Sequence, residues 1–388
     1  MRPREQVRRL LLNGLARAIG TRGMPAMSGY DRVLVIRPDH LGDLVLSAPA
    51  LQRLRSMLPD AQIALLVGSW NRELAEHMPY IDQVLTFPFP WFDRQPKKAL
   101  WDPYVLLNQE AQRLRGDRWD LALVLRADFW WGAMLAARAD IPHRVGYALP
   151  EVAPFLTNAV PYVPGRHEAE QNLALVEAVL PGGFEGSPAG SAPAFTLTTE
   201  EETFADRWLE QYGNPVLPVL IHPGAGAAVK HWRAERFSAL ADVLAAEHGA
   251  TVVVTGSEGE RGLVEEIVAH GHAGHLGLIG AGLGQLAAVL QRCALAIGVD
   301  SGIMHLAAAL GVPTVRLYGP VDPARFGPWG SPERHRVVRA ELPCVPCNRL
   351  DFSQAELSFH PCVRAITVDA ALEVARPFLL PPSVAGQP

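Results

Sequence analysis

The stretch GVDSGIMHLAAALG, residues 298–311, joins the end of an apolar run to the start of a helical pattern, an arrangement that makes an anion site. Asp300 closes the run LAIGV, Ser301 can cap the next helix through its hydroxyl, and Gly302 lets a ligand approach the backbone. His305 lies one turn further in. The unpaired amides of that first turn suit phosphate, although the same residues would also make a plain helix start. A second candidate is HPGAGAAVKHW, residues 222–232. Gly224 and Gly226 allow close backbone approach, and Lys230 can set a positive charge against a phosphate or simply sit in solvent. The spacing is not that of a P-loop. Trp232 is read as an anchor to the core. In TGSEGERG, residues 255–262, Glu258 or Glu260 can accept from a ribose diol. Gly319-Pro320 with Asp322 and Arg325 forms a further turn. Glycines, a lysine, an acid and a helix start at successive strand ends suit a nucleoside diphosphate.

A different chemistry resides in RPDHLGDLVLSAPAL, residues 37–51. Asp43 stands where a short loop enters a helix, as an N-cap or as a general base that takes a proton from a hydroxyl nucleophile. His40 is the competing base. Arg37 and Arg126 suit phosphate or carboxylate on an acceptor, and Trp130 and Trp131 fit either that side or the core. A nucleotide on one wall and a base on the other describe group transfer from an activated donor.

Apolar runs at 33–37, 62–67, 82–87 and 120–125, and again at 216–223, 251–256, 275–280, 295–300 and 313–319, alternate with helical patterns. The first-half helices begin near Asp43, Asn71, Leu100 and Phe129. The runs are continuous rather than alternating, which predicts parallel strands covered on both faces. Residues 181–194, PGGFEGSPAGSAPA, break the pattern, and 88–98 reads as a surface loop. The expected organisation is an arm (1–27), a first doubly wound domain (28–185), a second (195–345), and a cysteine loop with a C-terminal helix (346–388) crossing back to the first domain. Two such domains imply a cleft between them.

The chain of 388 residues has a net charge of −5. Residues 1–22 hold six arginines against Glu5, so that this arm is +5 and the remainder −10. Val7, Leu11, Leu15 and Ile19 recur at helical spacing, which fits an interfacial helix on anionic lipid or a helix packed on the first domain. The acidic remainder argues against nucleic acid, and no run is long enough to span a bilayer. Cys293 reads as a core residue. Cys344, Cys347, His360 and Cys362 can supply tetrahedral ligands to zinc, a redox pair or only an incidental loop.

The set LGDLVLSAPAL, HPGAGAAVKHW, VDSGIMHLAAALGVPTVRLYGP and FGPWG closely resembles glycosyltransferase family 9, the ADP-heptose:lipopolysaccharide heptosyltransferases, in motif order over roughly residues 31–370. The resemblance implies an α/β GT-B fold, two Rossmann-like domains facing across a cleft. It further implies inverting, metal-independent transfer of a sugar, a heptose from ADP-heptose, to a hydroxyl of a lipopolysaccharide-core or other cell-envelope glycan. No cofactor is expected. By that resemblance Asp43 is the base, Lys230 holds the donor diphosphate, and Asp300, Ser301, Gly302 and His305 form the nucleotide-contacting turn. Glu260 is the best match for the ribose-binding acid, with Glu258 as the alternative. Ala225 and Gly226 stand where some members carry hydroxyls, so contacts there would be from backbone. A cytoplasmic place, on the inner membrane's cytoplasmic face, goes with such an acceptor. The rival readings are a nucleotide-sugar epimerase of the same architecture and a non-catalytic nucleotide-sugar-binding protein.

Overall fold

The computed structural model describes residues 3–19, 29–93, 101–180 and 194–379. Most of the break at 181–194 and part of the loop at 88–98 lie outside them. The chain divides into two units, Met1–Ala194 and Phe195–Pro388.

The first unit carries strands β1 (Arg32–Arg37), β2 (Gln62–Val67), β3 (Gln83–Thr86), β4 (Leu121–Val124), β5 (His143–Tyr147) and β6 (Asn158–Val160). Its helices are α1 (Pro3–Ile19), α2 (Leu41–Val45), α3 (Ala48–Met57), α4 (Arg72–Glu76), α5 (Asp102–Gly116), α6 (Trp130–Arg138) and α7 (Glu168–Glu177). All pairings are parallel, in the order β3-β2-β1-β4-β5-β6. The central strand β1 is buried from Val33 onward, which explains its unbroken apolar sequence.

The second unit repeats the plan. Strands β7 (Pro218–His222), β8 (Thr251–Gly256), β9 (Leu276–Ile279), β10 (Leu295–Val299), β11 (Thr314–Tyr318) and β12 (His335–Arg339) form a parallel sheet in the order β12-β11-β10-β7-β8-β9. Its helices are α8 (Thr199–Glu210), α9 (Ala234–His248), α10 (Arg261–His270), α11 (Leu283–Gln291), α12 (Gly302–Ala309), α13 (Pro323–Phe326), α14 (Gln354–Leu357) and α15 (Val368–Ala375). Thr198 and Glu201 close a reciprocal capping box at the start of α8. Gly249, at φ 65°, ends α9 in the left-handed conformation that glycine tolerates. Both sheets have the Rossmann order, with its reversal between β1 and β4 in one and β7 and β10 in the other.

Three strands escape the apolar-run reading. In β5 the sequence is HRVGY, and the charge of buried Arg144 is met by the carbonyls of Phe155 and Ile141. The edge strand β12, HRVVR, turns two residues to solvent, and β6 has only three residues.

The C-terminal helix α15 packs on α9, β11 and β12, with Ala371, Leu372 and Ala375 buried in the second unit's core.

The arm is helical, but its buried face is rotated from the expected one. Leu12 and Ala16 enter the first unit's core, with Ile19 partly buried beside them, while Leu11 and Leu15 are exposed. The side chain of Val7 lies outside the described residues. Among those residues no helix is long and apolar enough to cross a membrane.

Candidate active site

In the second unit the reversal of strand order sets the carboxyl ends of β7 and β10 side by side, where doubly wound sheets bind ligands. Gly298 permits that approach, since a Cβ there would lie 2.5 Å from the carbonyl oxygen of His222. The glycine loop after β7 runs into a short 3-10 turn, Ala228–Lys230, and Asp300 follows β10 directly. Lys230 Nζ lies 2.6 Å from Asp300 Oδ2, both side chains being largely buried. His305 Nε2 is 3.9 Å from Asp300 Oδ1. Arg316 of β11 donates to His305 Nδ1 at 3.2 Å and to Met304 O at 2.6 Å. A guanidinium on Nδ1 leaves the imidazole proton on Nε2, the nitrogen facing Asp300. Arg316 thus backs the His305–Asp300–Lys230 chain, a role hidden in the sequence because it sits inside the apolar strand run PTVRLYG.

Ser301 occupies the N-cap of α12, but its hydroxyl makes no capping bond and its buried Oγ has no partner among the described residues. The expected side-chain cap is therefore corrected: the first-turn amides of α12 keep their donors for an acceptor oxygen.

The two candidate acids separate clearly. Glu260 accepts from Ser257 N and Ser257 Oγ, each at 2.8 Å, and lies against the glycine loop. A Cβ on Gly224 would fall 1.9 Å from Glu260 Oε1, so a side chain there would displace the Glu260 carboxylate, whereas the space around Gly226 is open. Burial pushes the Glu260 pKa up, but the Ser257 bonds and nearby His222 and His231 outweigh it and hold it below the ordinary value. Glu258 pairs instead with Arg261 at 2.8 Å on the surface. At the end of β11, Asp322 caps α13 through Ala324 N at 2.9 Å, and the Arg325 guanidinium lies 4.6 Å over the Phe326 ring.

Trp232 anchors the loop as expected, its Nε1 donating to Ile366 O at 2.9 Å. The segment around Cys362 adds a brace the sequence did not suggest. Cys362 packs with Val229 and Leu357 beside the turn that carries Lys230, and Arg236 donates to Arg364 O at 2.6 Å. The zinc set is corrected accordingly. Burial, with the nearby Cys347 and Cys344 thiols, raises the pKa of the Cys362 thiol, and the His360 ring lies 4.3 Å from that of Phe352. Among the described residues no group of three or more His, Cys, Asp or Glu side chains could hold a metal ion.

In the first unit the same reversal brings together the ends of β1 and β4. Arg37 ends β1 with its side chain 1% exposed and gathers three carboxylates. Its Nε is 3.0 Å from Asp39 Oδ2, and its Nη2 is 3.0 Å from Glu168 Oε1 and 3.8 Å from Asp43 Oδ1. Asn172, one turn after Glu168 on α7, accepts from Nη1 at 3.4 Å. Arg126, just past β4, clasps Asp39 and also bonds Asp128 at 2.6 Å. Two arginines thus face Asp39, Asp43, Glu168 and Asp128.

Asp43 is the outlier in this cluster. It lies inside α2, whose N-cap is His40, so the N-cap reading of Asp43 is corrected. Desolvation and Asp39, reinforced by Glu168, outweigh Arg37 and Arg126 and push its pKa up to about 7, while 34% of its side chain remains exposed. That is the protonation behaviour of a general base near neutral pH.

Arg37 does not stand on an acceptor side, as its residue type had suggested: it is buried and engaged with protein carboxylates. Arg126, with 37% of its side chain exposed, remains reachable. His40 is exposed, its ring 5.6 Å from that of Trp70. Trp131 is a core residue, stacked on Phe87, whereas Trp130 is half-buried.

Comparison with known proteins decides the family. The sequence model described as glycosyltransferase family 9 (heptosyltransferase) matches residues 108–355. The chain belongs to glycosyltransferase family 9. It is 28% identical to lipopolysaccharide heptosyltransferase 1 of Pseudomonas aeruginosa, over 81% of this chain and 86% of that protein. It is 26% identical to lipopolysaccharide heptosyltransferase 2 of Escherichia coli, over 90% and 99% respectively. Among solved structures, a family 9 glycosyltransferase of Veillonella parvula superposes with a TM-score of 0.75 at 24% identity, covering 91% of this chain and 99% of that one. The E. coli heptosyltransferase WaaC with ADP gives 0.63 at 20% identity, with coverage of 89% and 99%. The chain is a glycosyltransferase, and its α/β architecture of two Rossmann-like units is of the GT-B class.

Proposed function

We propose that this family 9 enzyme transfers a heptose from ADP-heptose to a hydroxyl of a lipopolysaccharide core or related cell-envelope glycan, with inversion at the anomeric carbon. The observation that carries the reading is Asp43, a partly exposed carboxylate set beside the buried Arg37–Asp39–Glu168 cluster at the carboxyl end of the first sheet, in a chain that the family 9 model matches. In a single displacement Asp43 takes the proton of the acceptor hydroxyl, whose oxygen attacks the anomeric carbon. The bond from that carbon to the diphosphate oxygen breaks, and ADP leaves with the electron pair. Opposite-side attack inverts the centre.

Lys230 and the first-turn amides of α12 meet the charge that grows on the leaving diphosphate. Asp300 holds Lys230 in position, and His305 and Arg316 hold Asp300 in turn. Glu260, with its acceptor oxygens beside Gly224, takes the ribose hydroxyls. The backbone of Gly224, Ala225 and Gly226 lies along the phosphates. In the first unit Arg37 and Glu168 are positioning residues that set the basicity of Asp43. Arg126 and His40 receive the acceptor, the arginine suiting its anionic groups. Such an acceptor is a glycolipid, which places the reaction on the cytoplasmic face of the inner membrane.

The test is release of nucleoside diphosphate from ADP-heptose, with UDP- and GDP-sugars as alternatives, in the presence and absence of heptose-deficient lipopolysaccharide. The expected result is release that needs both ADP-heptose and acceptor. Conversion of the donor without acceptor would indicate an epimerase, and binding without turnover a non-catalytic protein.

A further inference from the structure

Helix α1 has two apolar faces. One, formed by Leu12 and Ala16 with Ile19 beside them, is inserted in the core of the first unit. There the helix packs on α6 and on the turn Ala153–Phe155, and the ion pair from Arg9 Nε to Glu151 at 2.9 Å pins it. A helix docked in this way ordinarily turns polar residues to solvent. Here, at about 100° per residue, Leu10, Gly14, Ala18, Leu11 and Leu15 fall on one outward arc. Leu10, Leu11 and Leu15 are 73%, 64% and 41% exposed.

Cations border this arc. Arg17 stands at the edge beside Leu10, and Arg8 at the edge beside Leu15, both exposed. The Arg8 guanidinium lies 5.2 Å over the Trp130 ring, and that ring is 5.6 Å from Trp91, itself half exposed. The apolar arc therefore continues at one edge into an arginine and an indole, residue types suited to a lipid headgroup region.

We propose that the outer face of α1 is a docking surface for an anionic phospholipid bilayer. The helix lies in the plane of the interface, its leucines entering the acyl boundary and Arg8 and Arg17 meeting headgroup phosphates. Charge selects this occupant. The first 22 residues carry six arginines and one acid in a chain whose net charge is −5, and four of those arginines, Arg4, Arg8, Arg9 and Arg17, lie on α1 with its outward apolar face. A second copy joined face to face through the same helix would oppose arginine edge to arginine edge, whereas an anionic bilayer complements them. The inference deepens the glycolipid-acceptor reading and rests on it for its purpose, though lipid binding is measured apart from turnover.

The experiment is sedimentation of the full chain with vesicles of phosphatidylcholine alone or mixed with phosphatidylglycerol. The expected result is binding that requires phosphatidylglycerol and weakens with added salt. The Leu10→Glu/Leu11→Glu double variant, altered only at exposed positions, should bind these vesicles at least about tenfold more weakly. Its turnover on a detergent-free core oligosaccharide should be unchanged. Arg8→Gln/Arg17→Gln should weaken binding with the leucines intact. Absence of vesicle binding, equal binding by the leucine variant, or a wild-type dimer that this variant dissolves would overturn the proposal. Those results leave the transfer reaction standing, and an inactive enzyme that still binds vesicles would overturn the catalytic reading alone.

Discussion

Replacing Glu168 with Gln removes one of the three carboxylates around Arg37 without removing a hydrogen-bond acceptor. The Glu168 and Asp43 oxygens lie 3.0 and 3.8 Å from the same Arg37 nitrogen, so they are at most about 7 Å apart. At an effective dielectric constant of about 20, two unit charges at that separation repel by about 2 kcal/mol. Screening at the exposed third of Asp43 reduces this to about 1 kcal/mol, a little under one pKa unit. Loss of the Glu168 charge also frees Arg37 for Asp43. Both effects stabilise the Asp43 carboxylate, so its pKa falls. The base must be ionised to act, and the acid limb of the kcat profile, near pH 7 in the parent enzyme, should move down by about one unit. The plateau rate should fall modestly because a weaker base remains. The assay is ADP release at saturating donor and acceptor across about pH 5 to 9. Asn172→Ala, which touches Arg37 without changing charge, is the control and should leave the limb in place. A Glu168→Gln limb that stays put, or moves up, would refute the assignment of Glu168 as the residue that tunes Asp43.

Other expectations follow from the same geometry. Lys230→Ala removes the cation beside Asp300 and should cost about a hundredfold in kcat/KM, with weaker ADP binding by calorimetry. Chelation with EDTA should leave turnover unchanged, because in the proposed mechanism Lys230 and the α12 amides meet the leaving-group charge. The folded-state pKa of Asp43 is raised, so its ionisation opposes folding between about pH 4 and 7 and fully above that. Asp43→Asn should therefore stabilise the protein at pH 8, by about 1 to 2 kcal/mol after allowing for solvent exposure, and by less at pH 5, as read from urea denaturation. Trp131→Ala, at a fully buried ring stacked on Phe87, should destabilise by about 3 to 5 kcal/mol in the same assay.

The sequence exposed most of what the central strands and glycine turns do, because both are local properties. Continuous apolar runs marked β1, β4, β7 and β10, and the residues just beyond them were the candidate groups. What stayed hidden depends on contacts between distant residues. Glu168 lies more than a hundred positions from Arg37, on α7, and nothing local to either residue signals the pairing. Arg316 is masked by the apolar strand that surrounds it. Arg37 has the residue type of an acceptor-side group, yet it is buried among protein carboxylates, and of the cysteines, open in sequence to a zinc, redox or incidental reading, Cys362 packs against Val229. The arm shows the limit of periodicity: Leu11 and Leu15 do define an apolar face, yet Leu12 and Ala16, one step round the helix, are the residues that dock.

The most direct test of the account is single-turnover transfer by Asp43→Asn, measured together with its affinity for ADP. The substitution keeps shape and removes the basic oxygen, while the residues assigned to the nucleotide stay intact. The account predicts transfer reduced by at least about a thousandfold, within the range of lost general-base catalysis, with ADP affinity unchanged. Transfer at the parent rate would contradict it.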